Sequence, residues 1–183
     1  PAHLALFGYD PLKHKIGRGV LEALGVGMEL GPRDLCSRGN FATVGASGVV
    51  VDRRAGRIST EKNKELCRLL QSEIGSIDGV EVLFAPGKEH RLVLVFRGAG
   101  LSDKLSDTDP QKVGERPRPA APLAPEAEAS SRVVNKFLDL AKEVLSGQSP
   151  ANALLLRGFS KCPALLSMKE LFKLSPAAIA SYP

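Results

Sequence analysis

Residues 80–97 read VEVLFAPGKEHRLVLVFR, and this stretch decides the class of the fold. Val80, Val82 and Phe84 alternate with Glu81 and Leu83, the two-residue period of a half-buried strand. Pro86, Gly87, Lys88 and Glu89 are turn formers, so the chain reverses there. Leu92 to Phe96 is a continuous apolar run, which fits a central strand buried on both faces. Two strands joined by so short a turn pair antiparallel. His90-Arg91 and Arg97 bracket the inner strand, so its ends are polar and could face a site.

A second hairpin lies upstream, over 35–45 and 48–54. Phe41, Thr43 and Val44 lead into Ala46-Ser47-Gly48, and Val49-Val50-Val51 follow. One arm carries Arg38 and the other ends in Arg53-Arg54, so strand pairing can bring distant arginines together. Between the hairpins, Thr60 is expected to cap a helix with Glu61 near its positive end. Leu66, Leu69, Leu70, Ile74 and Ile77 form its stripe, and Asp78-Gly79 its stop. A shorter helix is expected over 14–25, with Ile16, Val20, Leu21 and Leu24 on its buried face and Gly25 ending it. The segment before it is apolar and stops at the turn Gly8-Tyr9-Asp10-Pro11.

Downstream, residues 98–129 suggest no regular element. Their second half, 110–129, holds five Pro and five Ala among 20 residues, which reads as a mobile linker (111–129). Ser130 or Ser131 then caps a helix bearing Val133, Val134, Phe137, Leu138, Ala141, Val144 and Leu145, ended by Gly147. A short strand spans Ala153 to Leu156 and delivers Arg157-Gly158. Ser167 caps a brief helix through Leu174, and Ala177 to Ala180 is expected as a last strand. The sum is an α/β fold of α+β character, a mixed sheet with antiparallel hairpins flanked by helices.

Composition narrows the function. The chain has 183 residues, 43% hydrophobic and 25% charged, which excludes a wholly disordered, collagen-like or disulfide-scaffold protein. No apolar run approaches the roughly 20 residues of a membrane helix. Cys36, Cys67 and Cys162 are widely spaced, without a CxxC or Cys/His cluster, and are expected as buried or semi-buried free thiols. The opening PAHLALFGYD shows no secretory pattern and begins in mid-pattern, as a piece of a longer chain would. The net charge of +5 concentrates in residues 31–60, where Arg33, Arg38, Arg53, Arg54 and Arg57 face only Asp34 and Asp52. Arginine's planar fork suits phosphate and carboxylate, so a small anionic ligand fits better than nucleic acid, which wants interleaved aromatics.

No Gly-rich phosphate loop, HExxH or GxSxG motif is present, and His3, His14 and His90 are too few for a histidine metal centre. What remains is a set of arginines at strand ends: Arg38, Arg53, Arg54, Arg57, Arg91, Arg97 and Arg157, with His90 beside them. Read blandly they are a solvated, salt-bridged surface. Read functionally they clamp a phosphorylated carboxylate by its two anionic ends. Asp103, Asp107 and Asp109 are either Asx-turn residues or groups that contact a hydroxyl or move a proton.

Five stretches carry a family resemblance: AHLALFGYDP (2–11), RGNFATV (38–44), DRRAGRIST (52–60), SDTDP (106–110) and LLRGF (155–159). They resemble the archaeal-type cofactor-independent phosphoglycerate mutases of the alkaline phosphatase superfamily. The resemblance implies interconversion of 3-phosphoglycerate and 2-phosphoglycerate through a phosphoserine, without 2,3-bisphosphoglycerate. It also implies two divalent metal ions (Mn, Mg, Co or Zn), which stabilise attacking and leaving oxygens. In the family pattern the serine lies in Pro-Gly-Ser-Asp-x-Ala-His-Leu-Ala, and Pro1 takes the x position. The nucleophile and metal ligands are therefore expected outside this chain. The chain itself is expected to be the insertion domain that holds the glycerate, inactive alone. The expected domains are a hinge segment at 1–13, a substrate-binding domain at 14–174, and a return strand at 175–183 leading to the catalytic core. Arg38, Arg53, Arg54, Arg57, Arg91 and Arg157 are the expected substrate ligands, with His90 and Asp107 as candidates for general acid–base help. A cytoplasmic enzyme is expected, with no nucleic acid or membrane partner, and a homo-oligomer stays open. Two alternatives stay open: a stand-alone module that binds phosphorylated ligands, and a superfamily relative acting on another phosphate or a phosphonate.

Overall fold

The computed structural model describes residues 2–14 and 16–177, and its chain falls into two units, residues 16–162 and residues 1–15 with 163–183. The sequence reading put the second boundary at 174 rather than 162. The expected strand Ala177–Ala180 lies almost wholly outside the described residues.

The larger unit is built on an antiparallel sheet. Strand β1 (Asp34–Val44) is its spine, paired along one stretch with β5 (Arg91–Arg97), along another with β6 (Ala153–Lys161), and at its end with β2 (Val50–Asp52). β4 (Val80–Pro86) flanks β5, and the two-residue β3 (Ser76–Ile77) flanks β4. The order is β2-β1-β5-β4-β3, with β6 also on β1. Both expected hairpins form.

The two faces of the sheet are covered differently. Leu35, Phe41, Leu92, Leu94, Phe96, Leu154 and Leu156 pack beneath α3 (Thr60–Glu73) and α4 (Glu128–Leu145) in the main core. Phe96 meets Phe137 of α4 edge-on at 5.5 Å between centroids. On the opposite face, Cys36, Val93 and Val95 lie under α2 (Arg18–Gly25) with Val20 and Ala23. The apolar run of β5 is thus buried on both sides, as a central strand requires.

Several local expectations are corrected. Ser59, not Thr60, caps α3 by accepting the Lys62 N–H, and the helix ends at Glu73. Ile74 follows it and Ile77 belongs to β3, so Asp78-Gly79 is the β3–β4 turn. α4 starts at Glu128, behind a 3-10 turn at Pro125–Ala127. Ser130 is buried within it and accepts the Ser102 N–H, while Ser131 donates to the Ala120 carbonyl. In α2, Leu21 and Leu24 are exposed. Cys36 and Cys67 are buried, with their thiols pushed up to about 12 by burial above all. Cys162 is exposed.

Of residues 111–129, read from composition as a mobile stretch, 111–124 run without helix as a hydrogen-bonded strap, and the rest form the 3-10 turn and the first residues of α4. The Val50 N–H donates to the Glu115 carbonyl, Gly114 N–H to Val50, Arg118 N–H to Thr108, and Ala120 N–H to the Asn135 side chain. Each prolyl residue lacks an N–H to satisfy, and its neighbours dock instead.

In the smaller unit, α1 (Ala2–Leu6) leads to the expected turn, and α5 (Met168–Phe172) opens with a capping box between Ser167 and Glu170. The Tyr9 hydroxyl donates to the Leu166 carbonyl, and its ring meets Phe172 edge-on.

Candidate functional site

Side-chain parity builds the site's floor. Arg38 and Asn40 point to the same face of β1 as Cys36, beyond the part that α2 covers. In register with them are Arg157 opposite Arg38, and Arg91 opposite Asn40. The wall comes from the loop after β2, with Arg53, Arg54 and Arg57, and from the β4–β5 turn, with Glu89 and His90. These nine residues line a cavity of about 400 Å³. All six arginines expected as ligands are among them, as is His90.

Like charges directly opposite on paired strands repel, and Arg38 faces Arg157 in that way. Three carboxylates offset the repulsion from behind. Glu22 of α2 reaches Arg38 Nη1 at 3.3 Å. Asp109 takes Arg53 through two hydrogen bonds of 2.9 and 2.7 Å. Asp107 and Asp109 each approach Arg157 to 3.7 Å, a charge contact too long for a hydrogen bond. Arg54, Arg57 and Arg91 form no ion pair among the described residues.

The loop bearing Arg53, Arg54 and Arg57 is held in a costly conformation. Ala55 and Arg57 have φ of 45° and 54°, on either side of Gly56 at 62°. A left-handed non-glycine residue costs roughly 1–2 kcal/mol. Asp52 supports the loop, its carboxylate accepting the Arg54 and Gly56 N–H groups at 2.8 and 2.6 Å. Strain held by such supports clusters at binding sites.

The buried side-chain atoms without a hydrogen-bond partner among the described residues are Arg38 Nε, Asn40 Oδ1, His90 Nδ1 and Arg157 Nε. All four belong to residues of the cavity. His90 is 5% exposed. Burial, then the charge of Arg91, hold its pKa below 6.5, with Arg54 and Arg38 adding and Glu89 opposing. Its imidazole is neutral at pH 7. Asn63, buried in α3, donates to the backbone carbonyls of Glu89 and Arg91, and Thr60 Oγ1 accepts the Glu89 N–H. The turn carrying His90 is thereby tied to α3.

Other candidates fall elsewhere. Arg97 forms a two-pronged pair with Asp34 at the far end of β1, about 20 Å from Asn40 by strand rise. Asp107 is not among the lining residues; it accepts the Gly158 N–H at 2.8 Å, behind Arg157. Asp103 lies beside Lys104. Sequence reasoning passed over Asn40 and Glu89. Asn40 stands two residues after Arg38, so alternation alone puts them on one face, and Glu89 precedes His90 directly.

A divalent cation does not fit this cavity. Six guanidinium groups and one carboxylate line it, and among the described residues no group of three or more His, Cys, Asp or Glu could hold a metal. The arrangement instead offers charge-assisted donors to an anion with more than one acceptor group.

Comparison with known proteins agrees with the motifs. The family model described as 2,3-bisphosphoglycerate-independent phosphoglycerate mutase matches residues 1–152. Probable enzymes of that name from Thermosipho africanus and Aquifex aeolicus are 51% and 50% identical across all of this chain, which covers 45% and 47% of them. The solved cofactor-independent phosphoglycerate mutase of Thermoplasma acidophilum superposes on 92% of the chain with a TM-score of 0.78 and 38% identity, 47% of that protein being covered. The chain spans about half the length of the curated relatives it matches. Motifs, sheet and matched span lead to one conclusion: this chain belongs to the family of 2,3-bisphosphoglycerate-independent phosphoglycerate mutases.

Proposed function

We propose that this chain is the glycerate-holding part of a cytoplasmic mutase of glycolysis and gluconeogenesis that interconverts 3-phosphoglycerate and 2-phosphoglycerate. The observation that carries the reading is the convergence of six arginines from four chain segments on one cavity, three of them without an ion pair among the described residues. Phosphoglycerate has a phosphate and a carboxylate, and guanidinium forks bind both with defined geometry. Arg38, Arg157 and Arg91 form the floor under one anionic end, and Arg53, Arg54 and Arg57 clamp the other. His90, neutral and buried, is a proton acceptor within the same cavity. Asp107 orients Arg157 rather than meeting substrate.

Catalysis in this reading needs the rest of the parent protein. The serine nucleophile and divalent metals belong to a phosphatase-like core outside this chain, and residues 1–13 and 175–183 are its connections. The relatives' greater length supports that division. The role of this chain is to hold the glycerate still while the phosphoryl group is away, which converts its return into an intramolecular step.

Arg54→Ala in the full-length enzyme tests the reading. It is expected to lower kcat/KM at least tenfold, about 1.4 kcal/mol of transition-state binding. This chain alone is expected to bind 3-phosphoglycerate without turning it over. An unchanged kcat/KM removes Arg54 from the site, and turnover by the chain alone overturns the assignment of the chemistry to the core.

A further inference from the structure

Asp109 is not a lining residue, yet two of the cavity's arginines converge on it. Its side chain is wholly buried. Arg53 Nε donates to Oδ1 at 2.9 Å and Nη2 to Oδ2 at 2.7 Å, while the Gln111 N–H also donates to Oδ1 at 2.8 Å. Arg157 Nη1 stands 3.7 Å from Oδ2. The carboxylate is itself fixed by its neighbours. Thr108 exchanges hydrogen bonds with the backbone of Leu156, and Asp107 accepts the Gly158 N–H, so residues 107–109 clip onto β6 on either side of Arg157.

The chemistry follows from the shape of arginine. A free guanidinium swings on four rotatable bonds, and binding an anion must arrest them. A two-pronged pair with an immobile carboxylate fixes its plane before any ligand arrives, leaving Nη1 and the outer N–H of Nη2 for the ligand. Arg53 comes from the loop after β2 and Arg157 from β6, and one carboxylate placed between them also lowers their mutual repulsion.

We propose that Asp109 is a positioning residue of the reaction: it presets the Arg53 fork for the anionic end of the phosphoglycerate that Arg53 clamps, and through charge it steadies Arg157 in the floor under the other end. This rests on the reading of the cavity as the glycerate-holding site. It assigns Asp109 no proton transfer, because its oxygens are already occupied by Arg53 and Gln111.

The test is a double-mutant cycle on the full-length enzyme, reading KM for 3-phosphoglycerate and kcat in wild type, R53M, D109N and the double variant. In Asp109→Asn an N–H group replaces an acceptor and opposes the Arg53 donors. R53M is expected to raise KM at least tenfold, D109N by a similar factor with a smaller change in kcat, and the double variant no further than R53M. Wild-type KM in D109N, or factors that multiply in the double variant, overturn the inference while leaving the site reading intact. Unchanged KM in R53M sinks the site reading and this inference with it. If D109N does not fold, Arg53→Lys decides: it keeps the charge opposite Asp109 but loses the fork. KM as high as in R53M supports the preset fork, and wild-type KM refutes it.

Discussion

His90 has its pKa lowered first by burial and then by Arg91, Arg54 and Arg38, with Glu89 opposing. An anion that neutralises those arginines removes part of the depression. Proton NMR of this chain is therefore expected to give a His90 midpoint below 6.5, moving upward when inorganic phosphate fills the cavity. A midpoint that stays fixed while phosphate binds would show that the arginines around His90 are not the ones engaged. The arginines themselves were legible in the sequence because each adjoins an apolar run, although Arg38 and Arg157 lie inside β1 and β6 rather than at strand ends, β6 continuing past the expected Leu156 to Lys161. The role of Asp109 was not. Its Asx-turn bond to Gln111 is local and was foreseen as a type, but its pair with Arg53 joins segments that only the folded sheet brings together. Asn40 was passed over for a different reason: a neutral residue leaves no mark in a charge pattern, although the two-residue period already set it beside Arg38.

α2 shows how an element settles on its sheet. Its buried residues are Gly19, Val20 and Ala23, not the larger Leu21 and Leu24. A Cβ added at Gly19 would lie 2.4 Å from the Cys36 carbonyl oxygen, and one at Gly17 2.2 Å from Ser160 Cβ. The helix therefore presses its backbone against β1 and β6, and small residues define the buried side. Hydrophobic spacing ranks residues by transfer energy and does not register such close approach, so the expected face was rotated from the observed one. The same limit made Ile74 and Ile77 look helical, since their spacing continued the α3 stripe past the helix end. The buried runs of β5 and α4 match the reading because size and period agree there, although α4 starts earlier than expected, at Glu128. The fit of α2 also matters to the site, because Glu22 reaches Arg38 from this helix. Gly19→Ala must lift the helix from backbone atoms that cannot yield. Overpacking of this kind costs about 1–3 kcal/mol. At about 2–4 °C per kcal/mol for a chain of this size, the melting temperature is expected to fall by about 2–12 °C. An unchanged melting temperature in G19A would mean that the helix rides higher than described.

The whole molecule divides its sheet into a fully covered face and a half-covered one, and the uncovered half is the arginine floor. Such a cationic concentration is compatible with a stable fold because carboxylates stand behind it, buried Asp109 among them; buried Asp34 does the same for Arg97 at the far end of β1, and both tie stability to pH. Burial pushes the carboxyls of Asp34 and Asp109 up. Hydrogen bonds and charge from Arg97 and Arg33 with the Gly31 N–H, and from Arg53 and Arg157 with the Gln111 N–H, outweigh it and leave both below 3.8. Their protons go to the unfolded chain first, so their stabilisation is complete above about pH 4 and is lost as pH falls through the folded values. His90 has a depressed pKa as well, but on a base. It is neutral when folded, whereas the unfolded chain takes up a proton near 6.5, so stability starts to decline as pH falls below that value. Chemical denaturation of this chain from pH 8 to pH 3 is therefore expected to show a level region above about pH 7, a shallow loss beginning near 6.5, and a steeper one below about 4. H90Q is expected to remove the shallow limb alone. D34N is expected to lower the level region, because Arg97 loses its carboxylate, and to flatten the steep limb. A profile that declines toward alkaline pH between 7 and 8, or an H90Q chain that keeps the shallow limb, would contradict this account of how buried titratable groups tie the fold to pH.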